Sequence, residues 1–167
     1  MTLTTHAIVG ASIASLIPTH PVLGFTLGFT SHFLLDAIPH WDYILLSSKK
    51  DLNNPMNNDL IINKNFIIDL FKISFDAVLG LAVALLLFGF SNFNLLWAAF
   101  WGAIGAMMPD ALQFVYFKWR HEPIKSLQKF HLWIHAKKDL NNRPVLGISL
   151  QIIVILCFVV VSKFLAL

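Results

Sequence analysis

The stretch FIIDLFKISFDAVLGLAVALLLFGF, Phe66–Phe90, decides the class of the protein. Its ionisable residues, Asp69, Lys72 and Asp76, all fall in its first half, and everything after Asp76 is apolar. A bilayer core of ~30 Å needs roughly 20 mostly apolar helical residues to cross it, and this stretch meets that length. Two further stretches meet it as well, Leu95–Phe117 and Val145–Leu167. The chain is therefore expected to be an all-α, polytopic membrane helical bundle.

Composition agrees. Of 167 residues, 57% are hydrophobic and only 13% charged, with a mean hydropathy of +0.70. A soluble domain of this size carries more charge and shorter apolar runs. The single cysteine, Cys157, lies inside the last apolar stretch, which excludes disulfides and CxxC zinc sites. Any metal would have to be held by histidine and carboxylate. The net charge of +3 does not call for nucleic acid, because cytoplasmic loops of membrane proteins collect Lys and Arg. The apolar Ala7–Ile17 stretch is read as a retained membrane segment, since no Lys or Arg before Lys49 supplies the positive region of a signal peptide.

Working outward from Phe66–Phe90, the whole chain reads as one membrane domain, 1–167. A helix from about Thr5 to Ile17 and a second, Val22–Ile38, form a hairpin (5–38) around Pro18-Thr19-His20-Pro21. A polar stretch from 39 to 65 reads as a loop. Ser91–Asn94 turns the third helix into a fourth, 95–119. A basic segment, 120–143, holds an amphipathic helix from Pro123 to Lys138, and the last helix runs from 144 to 167. That makes about five membrane helices plus one amphipathic cytoplasmic helix. Lys49, Lys50, Lys64, Lys118, Arg120, Lys125, Lys129, Lys137, Lys138 and Arg143 all belong to two connections, while the other turns carry no such charge. The positive-inside rule then places those connections and the N-terminus in the cytoplasm. Trp41, Tyr43, Trp97, Tyr116 and Trp119 read as an interfacial belt, and His20 and His121 as surface residues.

An ionisable side chain in a membrane helix is costly enough to suggest function. At 1.5 Å per residue, His6 lies roughly 18 Å below Pro18, and His32 and Asp36 roughly 16 and 22 Å below Pro21. Asp76 lies about 21 Å below Phe90, and Asp110 about 24 Å below Asn94. These side chains are expected to share one slab in the inner half of the bilayer. His32 and Asp36 are one helical turn apart, as are His131 and His135. Imidazole and carboxylate together suit Zn²⁺ or a first-row neighbour, with Mn²⁺ or a two-metal site also open. Gly24, Gly28, Gly102 and Gly105 would let helices approach closely around them. A plainer role stands beside each expectation: Asp76 could neutralise Lys72, His32 and Asp36 could bond between helices, and the basic helix could rest on anionic headgroups.

Four motifs resemble the membrane-bound, metal-dependent hydrolases. They are Thr5-His6, Gly28-Phe-Thr-Ser-His32-Phe-Leu-Leu-Asp36, Met108-Pro109-Asp110 and His131-x-x-x-His135. The resemblance implies a multi-helix membrane fold, a divalent metal and hydrolysis. It matches Ser31, His32 and Asp36 in full. At the Pro-Asp motif, Leu112 and Gln113 stand where the family has a second acid and a histidine, and the motif order differs. His40 and Asp42, in Pro39-His40-Trp41-Asp42, either replace the missing ligands or leave Asp42 to cap local backbone.

The expected ligands are thus His6, His32, Asp36, His40, Asp110, His131 and His135, with Asp42 or Asp76 as the base. The expected function is a metal-dependent hydrolase in the cytoplasmic membrane, acting on an amphiphile such as a phospholipid or lipid-linked phosphate. A proton or divalent-cation transporter and a non-catalytic protein stapled by its metal remain open alternatives.

Overall fold

The computed structural model describes residues 1–165; the last two residues of the expected final helix lie outside them. Six α-helices carry the fold among the described residues: α1 Leu3–Ala14, α2 Pro21–Asp36, α3 Lys64–Phe88, α4 Phe93–Lys118, α5 Ile124–Ile134 and α6 Pro144–Leu165. α3, α4 and α6 are long and apolar enough to cross a membrane. α1 and α2, with 12 and 16 residues, fall short of that length. α3 and α6 turn large apolar side chains outward, among them Phe71, Phe75, Val78, Val160 and Phe164. Water would not tolerate so broad an apolar face on a folded monomer. The protein is a membrane protein by this measure.

α3 and α4 begin two residues earlier than their apolar stretches suggest. Asn63 and Asn92 are the reason, since each accepts a hydrogen bond from the N–H three residues on, Phe66 and Leu95, and so caps the helix ahead of its apolar run. The 39–65 loop is more ordered than expected: strands β1 (Ser48–Lys49) and β2 (Asp59–Leu60) pair antiparallel around a short 3₁₀ turn at Pro55–Asn57. Two basic residues at the end of α4 and just beyond it hold this hairpin. Lys118 reaches Asp59 and the Leu60 carbonyl at 2.6 Å each, and Arg120 reaches the carbonyls of Met56 and Asn58 at 3.2 Å each. Tyr116, expected in an interfacial belt, is instead buried and donates its hydroxyl to the Met56 carbonyl.

α1 runs through the centre and packs against α2, α3, α4 and α6. Its face is made of Ala7, Gly10, Ala11 and Ala14, all buried, so three neighbours can approach its backbone. A Cβ on Gly10 would stand 2.3 Å from the Gly102 carbonyl oxygen, and one on Gly28 would stand equally close to it. Glycines on α1, α2 and α4 therefore meet at one level. His32 and Asp36 follow Gly28 by one and two turns on the same face of α2.

The start of α1 is held from two sides. Asp76 on α3 accepts the Leu3 and Thr4 N–H groups at 2.7 and 3.1 Å and the Thr4 hydroxyl at 2.6 Å. Gln151 on α6 accepts from the Thr2 N–H at 3.2 Å and from the Thr2 and Thr5 hydroxyls at 3.0 Å. Both residues satisfy groups that a helix N-terminus leaves unpaired.

Candidate metal centre

Asp36, the last residue of α2, is buried, and five imidazoles turn toward it. The Nε2 atoms of His6, His32 and His131 lie 3.1, 3.2 and 3.1 Å from its carboxylate oxygens. Those of His40 and His135 lie 3.9 Å away. Asp110 on α4, 32% exposed, places Oδ1 3.6 Å from His32 Nε2. Two sets of converging donor atoms can hold a metal ion: His32, Asp36, Asp110 and His131, and Asp36, His40 and His135.

The chain brings these residues together by backbone bonds. After α5 it runs back beside the end of α2, with the Ala136 N–H on the Asp36 carbonyl and the Leu140 N–H on the His40 carbonyl, both at 2.8 Å. This pairing sets His131 and His135 over Asp36 and His40. The Asn141 side chain then accepts the Asp42 N–H at 2.9 Å, and Gln151 donates to the Trp41 carbonyl at 2.9 Å.

The histidine tautomers follow from their partners. Nδ1 of His32 lies 2.8 Å from the Ala106 carbonyl oxygen, Nδ1 of His40 lies 2.7 Å from that of Ile38, and Nδ1 of His135 lies 3.1 Å from that of Ala136. A carbonyl oxygen only accepts, so each Nδ1 carries the proton. In its neutral form each ring turns a bare Nε2 lone pair toward a carboxylate. His32 Nε2 is also 3.3 Å from His131 Nε2. Lone pairs converging on a buried anion repel unless a cation or a proton lies among them. Metal-ligating histidines are held this way, with the second nitrogen bonded to a carbonyl or carboxylate. The donor set of neutral imidazole and carboxylate therefore fits a divalent ion.

His6 behaves differently. Its Nε2 meets Asp36 Oδ1, its ring stacks on His32 with centroids 4.0 Å apart, and its buried Nδ1 has no hydrogen-bond partner among the described residues. It touches Asp36 without joining either set of converging donors. The nitrogen of Met1 also lies against this carboxylate, 2.9 Å from Oδ1. Outside the membrane helices, burial and the Met1 nitrogen hold His40 down at about 4, which keeps its ring neutral. Burial, with the carboxylates of Asp110 and Asp36, pushes Asp42 up to about 6.

A cavity of about 570 Å³ opens between α3, α4 and the 42–45 segment. Its wall is mostly apolar, including Leu70, Ile73, Ala77, Met107 and Phe114, and it carries Asp42 and Asp110. The cavity and the metal centre thus share Asp110.

The sequence-derived residues separate in this structure. His32, Asp36, His40, Asp110, His131 and His135 converge, His6 supports Asp36, and Asp42 lines the neighbouring cavity. Asp76 shares their expected depth but spends its carboxylate on the start of α1. Asp69 accepts from Ser47 at 2.6 and 2.7 Å and meets Lys72 at 3.4 Å, so it anchors the loop. Sequence reasoning passed over Gln151, although a lone glutamine in an apolar helix was a readable signal. Comparison with protein-family models, curated proteins and solved structures gives no match to this chain.

Proposed function

We propose that this protein is a metal-dependent hydrolase of the inner membrane that cleaves an ester of an amphiphilic lipid at the Asp36 centre. One observation carries the reading: three histidines whose Nδ1 protons are committed to backbone carbonyls turn their Nε2 atoms toward one buried carboxylate. The motif resemblance to membrane-bound, metal-dependent hydrolases supports the same chemistry. Zinc is the proposed ion and manganese the second choice, since imidazole donors outnumber carboxylates here.

In the proposed arrangement the α1–α2 hairpin lies in the bilayer beside α3, α4 and α6, giving five membrane helices. The N-terminus faces the cytoplasm, and the starts of α1, α3 and α6 and the ends of α2 and α4 share that side. The hairpin at 48–60 and the basic connection lie there too, as the positive-inside rule asks. The cavity between α3 and α4 takes the substrate's alkyl chain and brings its ester to Asp110 and Asp42. Its volume of about 570 Å³ falls within the ~300–1,000 Å³ usual for small-molecule sites.

A divalent ion held at this centre would lower the pKa of a water and polarise the phosphoryl or acyl oxygen of the substrate. Asp42 takes a proton from the attacking water, whose oxygen forms the new bond to phosphorus or carbon. The ester P–O or C–O bond breaks, and the proton passes to the departing alkoxide. His6 holds Asp36 in place. Asp76 has no part in this step, because both of its oxygens serve α1.

The test uses protein in phosphatidylcholine vesicles doped with phosphatidic acid, phosphatidylglycerol or a polyprenyl phosphate. Product release that requires Zn²⁺ or Mn²⁺ and disappears in Asp36→Asn supports the proposal. Metal-loaded protein that turns over none of these lipids, or Asp36→Asn with unchanged turnover, contradicts it.

A further inference from the structure

We infer that Asp36 bridges two separate cation sites, one completed by His32, Asp110 and His131 and the other by His40 and His135. The inference rests on the metal-dependent reading of this centre and deepens it from one ion to two.

The two donor sets share Asp36 alone, and within each set the donor atoms lie within 4.8 Å of one another. A carboxylate has two oxygens with about four lone-pair sites, so it can serve both sets. His32 and His131 address Oδ2, at 3.2 and 3.1 Å. His40 addresses Oδ1 at 3.9 Å, and His135 stands 3.9 Å from Oδ2. His40 and His135 are dispensable to the first set, yet both are built as ligands. Their Nδ1 protons are fixed on the Ile38 and Ala136 carbonyls, and their rings meet edge to face with centroids 5.0 Å apart.

An independent observation marks the second site as a place for positive charge. The Met1 nitrogen lies between its donors, 2.9 Å from Asp36 Oδ1 and 2.7 Å from His40 Nε2. In hydrolases, two ions about 3.5–4 Å apart clamp the attacking and leaving oxygens of one displacement.

The experiment titrates Mn²⁺ into chelator-stripped, purified full-length protein, counting bound ions by equilibrium dialysis and recording electron paramagnetic resonance. Two ions per chain with a spin-coupled spectrum are expected. His40→Ala and His135→Gln should each bind one ion with an uncoupled spectrum, and Asp36→Asn should lose at least tenfold in affinity for both. Retained elution volume and helical circular dichroism show that each variant is folded. One ion in the wild type, unchanged in folded His40→Ala and His135→Gln, overturns the second site and leaves the single-metal reading standing. No bound Mn²⁺ in folded wild type overturns both.

Discussion

The Nδ1–H of His32 on α2 lies 2.8 Å from the carbonyl oxygen of Ala106 on α4, and this bond fixes which nitrogen faces Asp36. Pro109 follows three residues later, with no N–H to give to the Gly105 carbonyl in the same turn of α4. The close approach of Gly28 to Gly102 brings the two helices near enough for a side chain to reach the opposite backbone. Packing thus decides tautomer, and tautomer decides what the centre can bind.

That chain of cause is open to nuclear magnetic resonance. In protein labelled with ¹⁵N-histidine and stripped of metal, His32, His40 and His135 should show protonated Nδ1 and bare Nε2. Added Zn²⁺ should shift the Nε2 signals and leave Nδ1–H in place. Nε2–H tautomers at these three positions would remove the physical basis for a metal there.

The glycine contacts predict where the bundle is least forgiving. A methyl group added in Gly28→Ala would meet the Gly102 carbonyl oxygen at 2.3 Å. The helices must separate, at a cost of about 1–3 kcal/mol as for other overpacked cores. Thermal unfolding should show that loss together with weaker metal binding. Gly89→Ala near the far end of α3, which also meets close contacts, should lower stability and leave metal affinity within about twofold, since it does not set the His32–Ala106 distance.

Asp76 separates a structural acid from a catalytic one. Asp76→Ala leaves the Leu3 and Thr4 N–H groups of α1 without their acceptor, a loss of about 1–3 kcal/mol. Folded variant should still bind metal at the wild-type stoichiometry and turn over substrate within a few-fold of wild type. A thousandfold loss of turnover at full metal content would make Asp76 part of the chemistry.

What could be read from residues alone was the all-helical class and the three helices long and apolar enough to cross a membrane. His32 and Asp36 were legible because one helical turn places them on one face, and His131 and His135 for the same reason. Depth along a helix axis says nothing about position around it, which is why Asp76 looked equivalent to Asp110. The two differ by the helix they face: Asp76 meets the start of α1, and Asp110 meets His32. The placing of His131 near Oδ2 and His135 nearer His40 was not legible either. It depends on the backbone bonds from Ala136 and Leu140 to Asp36 and His40, long-range contacts with no local signature. The hairpin at 48–60 was read as plain loop because its order comes from Lys118 and Arg120, distant in sequence.

Orientation can be tested with introduced cysteines in a Cys157→Ser background. A membrane-impermeant maleimide should label Ser91→Cys, in the α3–α4 turn, on intact cells. Asn53→Cys, in the β1–β2 hairpin on the side proposed to hold the metal centre, should react only after permeabilisation. The reverse pattern would put the centre on the outer face.

The central claim is that Asp36 and its histidines exist to hold a metal, and elemental analysis of the purified protein beside His32→Ala tests it most directly. Wild type should carry Zn or Mn at one or more ions per chain, and the folded variant less than a tenth of that amount. Folded wild type that stays metal-free after incubation with either ion, or the same metal content in both proteins, would contradict it.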